Sequence, residues 1–229
     1  MNWHHKARKV LITGASDTGK TTLWLRMLRD WPAKWKWVFD SDREAAGKLG
    51  WPVGVAVNQL EWSGIQARPL AWDSHVMFPG DRERGFSFFC SWIMNFVSLR
   101  GDKDRPLVNG PKLVAVDELQ NFTMTGRGGV PQSFRVMLDA GRREEVDLLL
   151  VSQALNEVHQ SVRRQLTDIY SFQHRDPLAL EWLAARGLDP AQVAALPPRG
   201  AFLHLDCRTR QITRGNSPHS LNTPTASSH

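Results

Sequence analysis

The octapeptide Gly14-Ala15-Ser16-Asp17-Thr18-Gly19-Lys20-Thr21 sets two glycines, a lysine and a hydroxyl at the spacing of a phosphate-binding (Walker A) loop. Glycine at those positions lets backbone N–H groups curl around phosphate oxygens, and the amino end of a following helix adds partial positive charge. In that arrangement Lys20 reaches the β- and γ-phosphates, the Thr21 hydroxyl ligates Mg²⁺, and Thr22 completes the nucleotide-binding set. A glycine-rich turn that binds nothing is the plain alternative. The flanks argue against it, because residues 9–13 (KVLIT) read as a strand and residues 21–28 (TTLWLRML) carry apolar residues at helical spacing.

A second constellation follows the apolar run 113–116 (LVAV), where Asp117 and Glu118 stand side by side. At the carboxyl end of a buried strand, Asp117 can hold the Mg²⁺ shell through water while Glu118 polarises an attacking water. Adjacent acids repel unless a cation or a polarised water stands between them. A Glu directly after the Asp favours hydrolysis over phosphoryl transfer to a small acceptor; an acidic turn after a core strand is the competing reading. Gln153, after the strand 148–152 (LLLVS), can hydrogen-bond the γ-phosphate or the attacking water, or can simply cap its strand. Arg142 and Arg143 precede the acidic turn Glu144-Glu145. Either guanidinium suits an arginine finger on a neighbouring subunit's γ-phosphate; a basic helix end paired with those glutamates is the alternative. Between them, residues 123–132 form an irregular glycine-rich stretch around Arg127. It fits a loop tracking a nucleic-acid backbone, or a mobile surface connection.

These residues need a scaffold that gathers strand ends. Strands are predicted at 9–13, 35–39, 113–116 and 148–152, with weaker candidates at 53–57, 68–72 and 168–173. Helices are predicted at 21–28, 87–99, 158–166, 177–186 and from 190 to 195. Residues 201–206 and 209–213 read as a closing hairpin. Strands alternating with helices give an α/β fold, with a central, mainly parallel sheet flanked by helices. Apolar side chains nearly vanish after Thr213, so residues 1–213 read as one domain and 214–229 as a disordered tail.

The composition agrees with one globular domain. The chain has 229 residues, is 41% hydrophobic and 23% charged, which excludes wholesale disorder. Lys and Arg (29) exceed Asp and Glu (23) by +6, a balance compatible with a polyanionic partner. Two cysteines cannot build a disulfide framework, which points to a reducing compartment. The longest apolar stretch, 86–99, is too short to cross a bilayer, and the basic N-terminus lacks the apolar core of a signal peptide. Ten tryptophans against one tyrosine are unusual; Trp35 and Trp37 share one strand face and read as packing residues.

Three segments in order, GASDTGKT (14–21), KLVAVDELQNF (112–122) and GRREEVDLLLVSQ (141–153), resemble the FtsK–HerA superfamily of DNA-pumping ATPases. Residues 164–172 and 196–206 look like that superfamily's closing segments, whereas 42–84 match nothing in it. The resemblance implies a RecA/FtsK-like core that binds ATP and Mg²⁺. Lys20 and Thr21 would hold phosphate and metal, Asp117 and Glu118 would be the metal-side and water-activating acids, and Gln153 the sensor. One of Arg142 and Arg143 would be the finger. A stand-alone core of this size is most similar to the genome-packaging ATPases of tailless, membrane-containing icosahedral viruses. That likeness implies a ring, usually hexameric, threading double-stranded DNA into a preformed capsid in the host cytoplasm, docked on a capsid vertex or membrane protein. Competing readings are a filamentous-phage-type morphogenesis or secretion ATPase, which normally carries a transmembrane segment, a small P-loop kinase, and a non-enzymatic nucleotide switch.

Overall fold

The computed structural model describes residues 7–40, 43–101, 106–123 and 129–217. Among the described residues nine strands form one sheet: β1 (Lys9–Thr13), β2 (Trp35–Phe39), β3 (Val53–Gly54), β4 (Leu70–Trp72), β5 (Lys112–Val116), β6 (Val146–Ser152), β7 (Asp168–Ser171), β8 (Ala201–Asp206) and β9 (Ile212–Asn216). Their order is β3-β4-β2-β5-β6-β1-β7-β8-β9. Every pair from β3 across to β7 is parallel, and β7–β8 and β8–β9 are antiparallel. The expected α/β fold with a parallel centre and a C-terminal hairpin is what the chain adopts.

The centre is parallel because its strands are apolar on both faces. In β1, Leu11 faces one core while Val10 and Ile12 face the other; in β5, Val114 and Val116 oppose Leu113 and Ala115. Helices α1 (Lys20–Asp30) and α2 (Glu44–Leu49) cover one face, through Leu23, Trp24, Leu25, Leu28, Ala45 and Ala46. The other face receives α3 (Val57–Gln66), α4 (Arg82–Val97), α5 (Gln132–Ala140) and α7 (Pro177–Ala185), through residues such as Leu60, Phe89, Phe134 and Leu183. A short α6 (Gln160–Arg163) and α8 (Pro190–Ala194) complete the chain.

Tryptophan is spent on this core. Trp24, Trp37 and Trp72 are fully buried, and indole N–H groups donate to Gly64 O from Trp35 (2.8 Å) and to Ser63 Oγ from Trp37 (3.1 Å). Trp35 and Trp37 are packing residues, as their shared strand face indicates.

Several expected boundaries move. The helix expected over 158–166 is a 3₁₀ turn at Leu155–Glu157 followed by the four residues of α6, because His159 caps a new start by accepting from Ser161 N. The strand expected over 53–57 is only Val53–Gly54, and α3 begins at Val57. The hairpin's second strand is Ile212–Asn216, not 209–213, so the boundary placed at 213 falls inside a strand. Arg214, Gly215 and Asn216 pair with Leu203, Phe202 and Ala201. Backbone hydrogen bonds hold this exposed edge, which apolar content alone does not reveal. The rest of the expected tail, 218–229, lies outside the described residues. Among the described residues no helix is long and apolar enough to cross a membrane.

Candidate active site

The glycine-rich loop of residues 14–19 leaves the buried carboxyl end of β1. At Gly14 (φ 153°) an added Cβ would lie 2.6 Å from Cβ of Phe172, so only glycine lets the loop pass so close to the exit of β7. Gly19 (φ 103°) ends the loop in the left-handed region and caps α1. Cross-bonds hold the loop's shape: Ala15 N donates to Gln173 O (2.9 Å) and Thr18 Oγ1 to Ala15 O (2.8 Å). From β8's side, Gly200 N donates to Thr18 O (2.9 Å) and Ser217 Oγ to Gly19 O (3.3 Å).

Lys20 is the first residue of α1 and only 6% exposed. Its Nζ donates to Ala15 O at 2.5 Å. Removal from water lowers its pKa to about 8, opposed by the charges of Asp117 and Asp17. It therefore remains a cation at neutral pH.

β5 lies between β2 and β6 and brings Asp117 and Glu118 to the same end of the sheet as the loop. Removal from water pushes Asp117 up to about 7, and the nearby carboxylates of Glu44, Glu118 and Asp40 add to the shift. Its Oδ1 accepts from Glu118 N (2.8 Å). Glu118 takes a left-handed conformation (φ 48°), uncommon for a residue with a side chain, and its Oε2 accepts from Asn121 Nδ2 (2.8 Å). β6 delivers Gln153, whose Oε1 accepts from Ser16 Oγ at 2.9 Å. Strand end, loop and acid pair thus meet.

They line one open cavity of about 650 Å³, together with residues 16–22, Glu44, Lys48, Arg199, Gly200 and Ser217. That volume is of the size that holds a small organic ligand. Glu44 and Lys48 come from α2, where they pair with each other, and Arg199, Gly200 and Ser217 from the β8–β9 hairpin. No local motif marks them; β2's neighbourhood with β5 and the hairpin's return over the loop bring them in. Beneath the loop, His174 is 3% exposed and its Nε2 lies 3.1 Å from Thr13 Oγ1. Burial, then the charge of Lys20, lowers it to about 4, so it is neutral at physiological pH.

The residues fit a Mg²⁺–nucleotide. A desolvated carboxylate among like charges at Asp117 gains from a cation, and the Thr21 hydroxyl lines the same cavity. Among the described residues no three His, Cys, Asp or Glu side chains cluster to hold a metal alone. A cation held here would need further ligands from phosphate and water, the usual habit of Mg²⁺.

Two predicted site residues are elsewhere. Arg142 and Arg143 lie in the turn before β6, at the end of the sheet away from the cavity. Arg127 lies outside the described residues.

No protein-family model matches this sequence, and no curated protein does so significantly. Solved structures share its fold. The genome packaging NTPase B204 from Sulfolobus turreted icosahedral virus 2, in complex with ATP-gammaS, superposes with a TM-score of 0.68 at 16% identity, covering 95% of this chain and 100% of that one. B204, the DNA-packaging ATPase from Sulfolobus turreted icosahedral virus, gives 0.63 at 18% identity over 94% and 100%. The cytoplasmic domain of the Thermomonospora curvata type VII secretion ATPase EccC gives 0.60 at 14% identity, over 95% of this chain but 26% of that one. The chain has the P-loop ATPase fold that these proteins share.

Proposed function

We propose that this chain is an ATPase that moves double-stranded DNA, working as a ring, and that its task is to package a viral genome into a preformed capsid. The observation that supports this reading most is the meeting of Lys20, Asp117, Glu118 and Gln153 on one cavity, within a fold that spans all of a viral packaging NTPase. The residue roles follow from position. Backbone N–H groups of residues 15–20 and the Lys20 ammonium bind the β- and γ-phosphates. Thr21 and Asp117 would hold a Mg²⁺, which would supply charge neutralisation at the phosphates. Glu118 orients a water and accepts its proton, and Gln153 reports the γ-phosphate to the loop through Ser16.

Nucleotide state has a route outward. The hairpin donates to the phosphate loop from Gly200 and Ser217, so a loop reshaped by phosphate drags β8 and β9. DNA contact is assigned to the glycine-rich sequence around Arg127 and the net charge of +6. Binding is expected to ignore base sequence and to weaken on the order of 10³-fold between 50 and 200 mM salt, given six or more phosphate contacts. Fluorescence anisotropy with duplexes of unrelated sequence checks it, and salt-insensitive binding contradicts a backbone-tracking channel.

A secretion ATPase is the second reading, favoured by the likeness to EccC. Stimulation separates the two. ATP hydrolysis raised several-fold by duplex DNA and not by unfolded polypeptide supports packaging; the reverse supports secretion.

A further inference from the structure

Helix α2 stands in the stretch 42–84, which carries none of the motifs that mark the rest of the site. Its position is nonetheless fixed. The Asp40 carboxylate, 2% exposed at the end of β2, accepts from Glu44 N (2.8 Å) and Ala46 N (2.9 Å). Ala45 and Ala46 are buried in the core that α1 shares. Arg43, which caps the helix, donates from Nε to Asp73 Oδ2 at 2.8 Å, and Asp73, just after β4, is itself buried. Held this way, the helix turns one face to the nucleotide cavity. Glu44 and Lys48, one turn apart, both line it.

The sheet order decides which part of a nucleotide these two side chains face. Asp117 and Glu118 follow β5, Gln153 follows β6, and both strands stand on the β2 side of β1. Arg199, Gly200 and Ser217 enter from the hairpin on the other side. With the residue 14–19 loop between them, α2 flanks the end of the cavity assigned to the γ-phosphate. Charge agrees with this placement: Glu44 leads the charges that raise Asp117, ahead of Glu118.

At that end Lys48 is a movable cation. Its side chain is 49% exposed, and among the described residues its ammonium pairs with Glu44 alone. An exposed pair at this spacing contributes only about a factor of two to an equilibrium. Charge-assisted hydrogen bonds to a phosphate are worth on the order of tenfold or more. A γ-phosphate can therefore take the lysine from the glutamate. We propose that Lys48 leaves Glu44 to bind the γ-phosphate of ATP held on its own chain, and so discriminates ATP from ADP. Glu44 is the positioning residue, which keeps the ammonium at the cavity rim until that phosphate arrives. This deepens the ATPase reading and rests on it.

The test is calorimetric titration of the full chain with a non-hydrolysable ATP analogue and with ADP, each in the presence of Mg²⁺. K48A is expected to weaken the analogue about tenfold and to leave ADP, which has no γ-phosphate, within about twofold. K48Q, of similar length without the charge, gives the same losses. K48R restores the analogue to within about threefold of wild type, since its guanidinium also binds phosphate. E44Q keeps the lysine and removes its competitor, so the analogue binds as to wild type or about twofold tighter. A pair that merely held α2 together would give a different pattern: K48A and E44Q would weaken both nucleotides alike and lower the thermal midpoint alike. That pattern overturns the proposal, as does equal weakening of analogue and ADP in K48A, or a K48R no better than K48A. If wild type binds both nucleotides, K20A binds the analogue poorly and K48A matches wild type, this inference alone fails. If wild type binds no nucleotide, the ATPase reading fails and carries this one with it.

Discussion

Replacing Glu118 by Gln is expected to leave ATP binding within about threefold of wild type and to cut hydrolysis by about 10²–10⁴-fold, the range of general-base catalysis. The swap is nearly isosteric. The amide oxygen of Gln can still accept from Asn121 Nδ2, so the left-handed turn at Glu118 keeps its local support. What disappears is the anion that orients and deprotonates water. Asp117, the acid assigned to the metal, is untouched and loses one of the like charges that raise it. Affinity for a fluorescent ATP analogue and single-turnover hydrolysis separate the two effects. A variant that also fails to bind ATP would make Glu118 a metal ligand or a structural residue.

Lys20→Ala is expected to abolish measurable turnover, a loss of at least 10³-fold, while the thermal midpoint stays within a few degrees of wild type. A donor aimed at charge that develops in the transition state commonly contributes 10²–10³-fold alone, and Lys20 also supports ground-state binding. The fold does not depend on it: among the described residues its ammonium hydrogen-bonds Ala15 O alone, and the adjoining core on α1 is built by Leu23, Trp24, Leu25 and Leu28. Circular dichroism and a phosphate-release assay check both halves. Unchanged hydrolysis would refute the phosphate-loop assignment.

How much of this was legible in the sequence depended on whether the signal was local. β1 and β2 lie where apolar runs predict them, because two-faced burial leaves a continuous hydrophobic string. α3 was not readable. It carries Gly64 in its last turn, a residue that disfavours helix, and tertiary contact explains the choice: a Cβ there would meet the Phe96 ring at 2.6 Å, and Trp35 donates to its carbonyl. α2 is six residues with an internal Gly47, and its start is fixed by the buried Asp40 carboxylate accepting from Glu44 N and Ala46 N. α5 carries buried Phe134, Met137 and Leu138 at helical spacing and stood within reach of the periodicity argument.

The site divides in the same way. Loop lysine, acid pair and Gln153 announce themselves because each is tied to the strand that carries it. Glu44, Lys48, Arg199 and Ser217 reach the cavity only because β2 neighbours β5 and the last hairpin folds back over the loop. The turn before β6 was half visible: pairing of the arginines with its glutamates was one sequence reading, and it holds for Arg143. Strand direction then shows that the turn faces away from its own nucleotide site.

Coupling of hydrolysis to movement along DNA is the central claim, and displacement of a third strand from a linear duplex measures it. The wild-type chain is expected to strip the third strand with ATP and Mg²⁺, after a lag that lengthens with the distance from the duplex end. With a non-hydrolysable analogue, or with E118Q, the third strand should remain bound. Hydrolysis that proceeds at the same rate with and without duplex DNA, and leaves the third strand in place, would contradict the account.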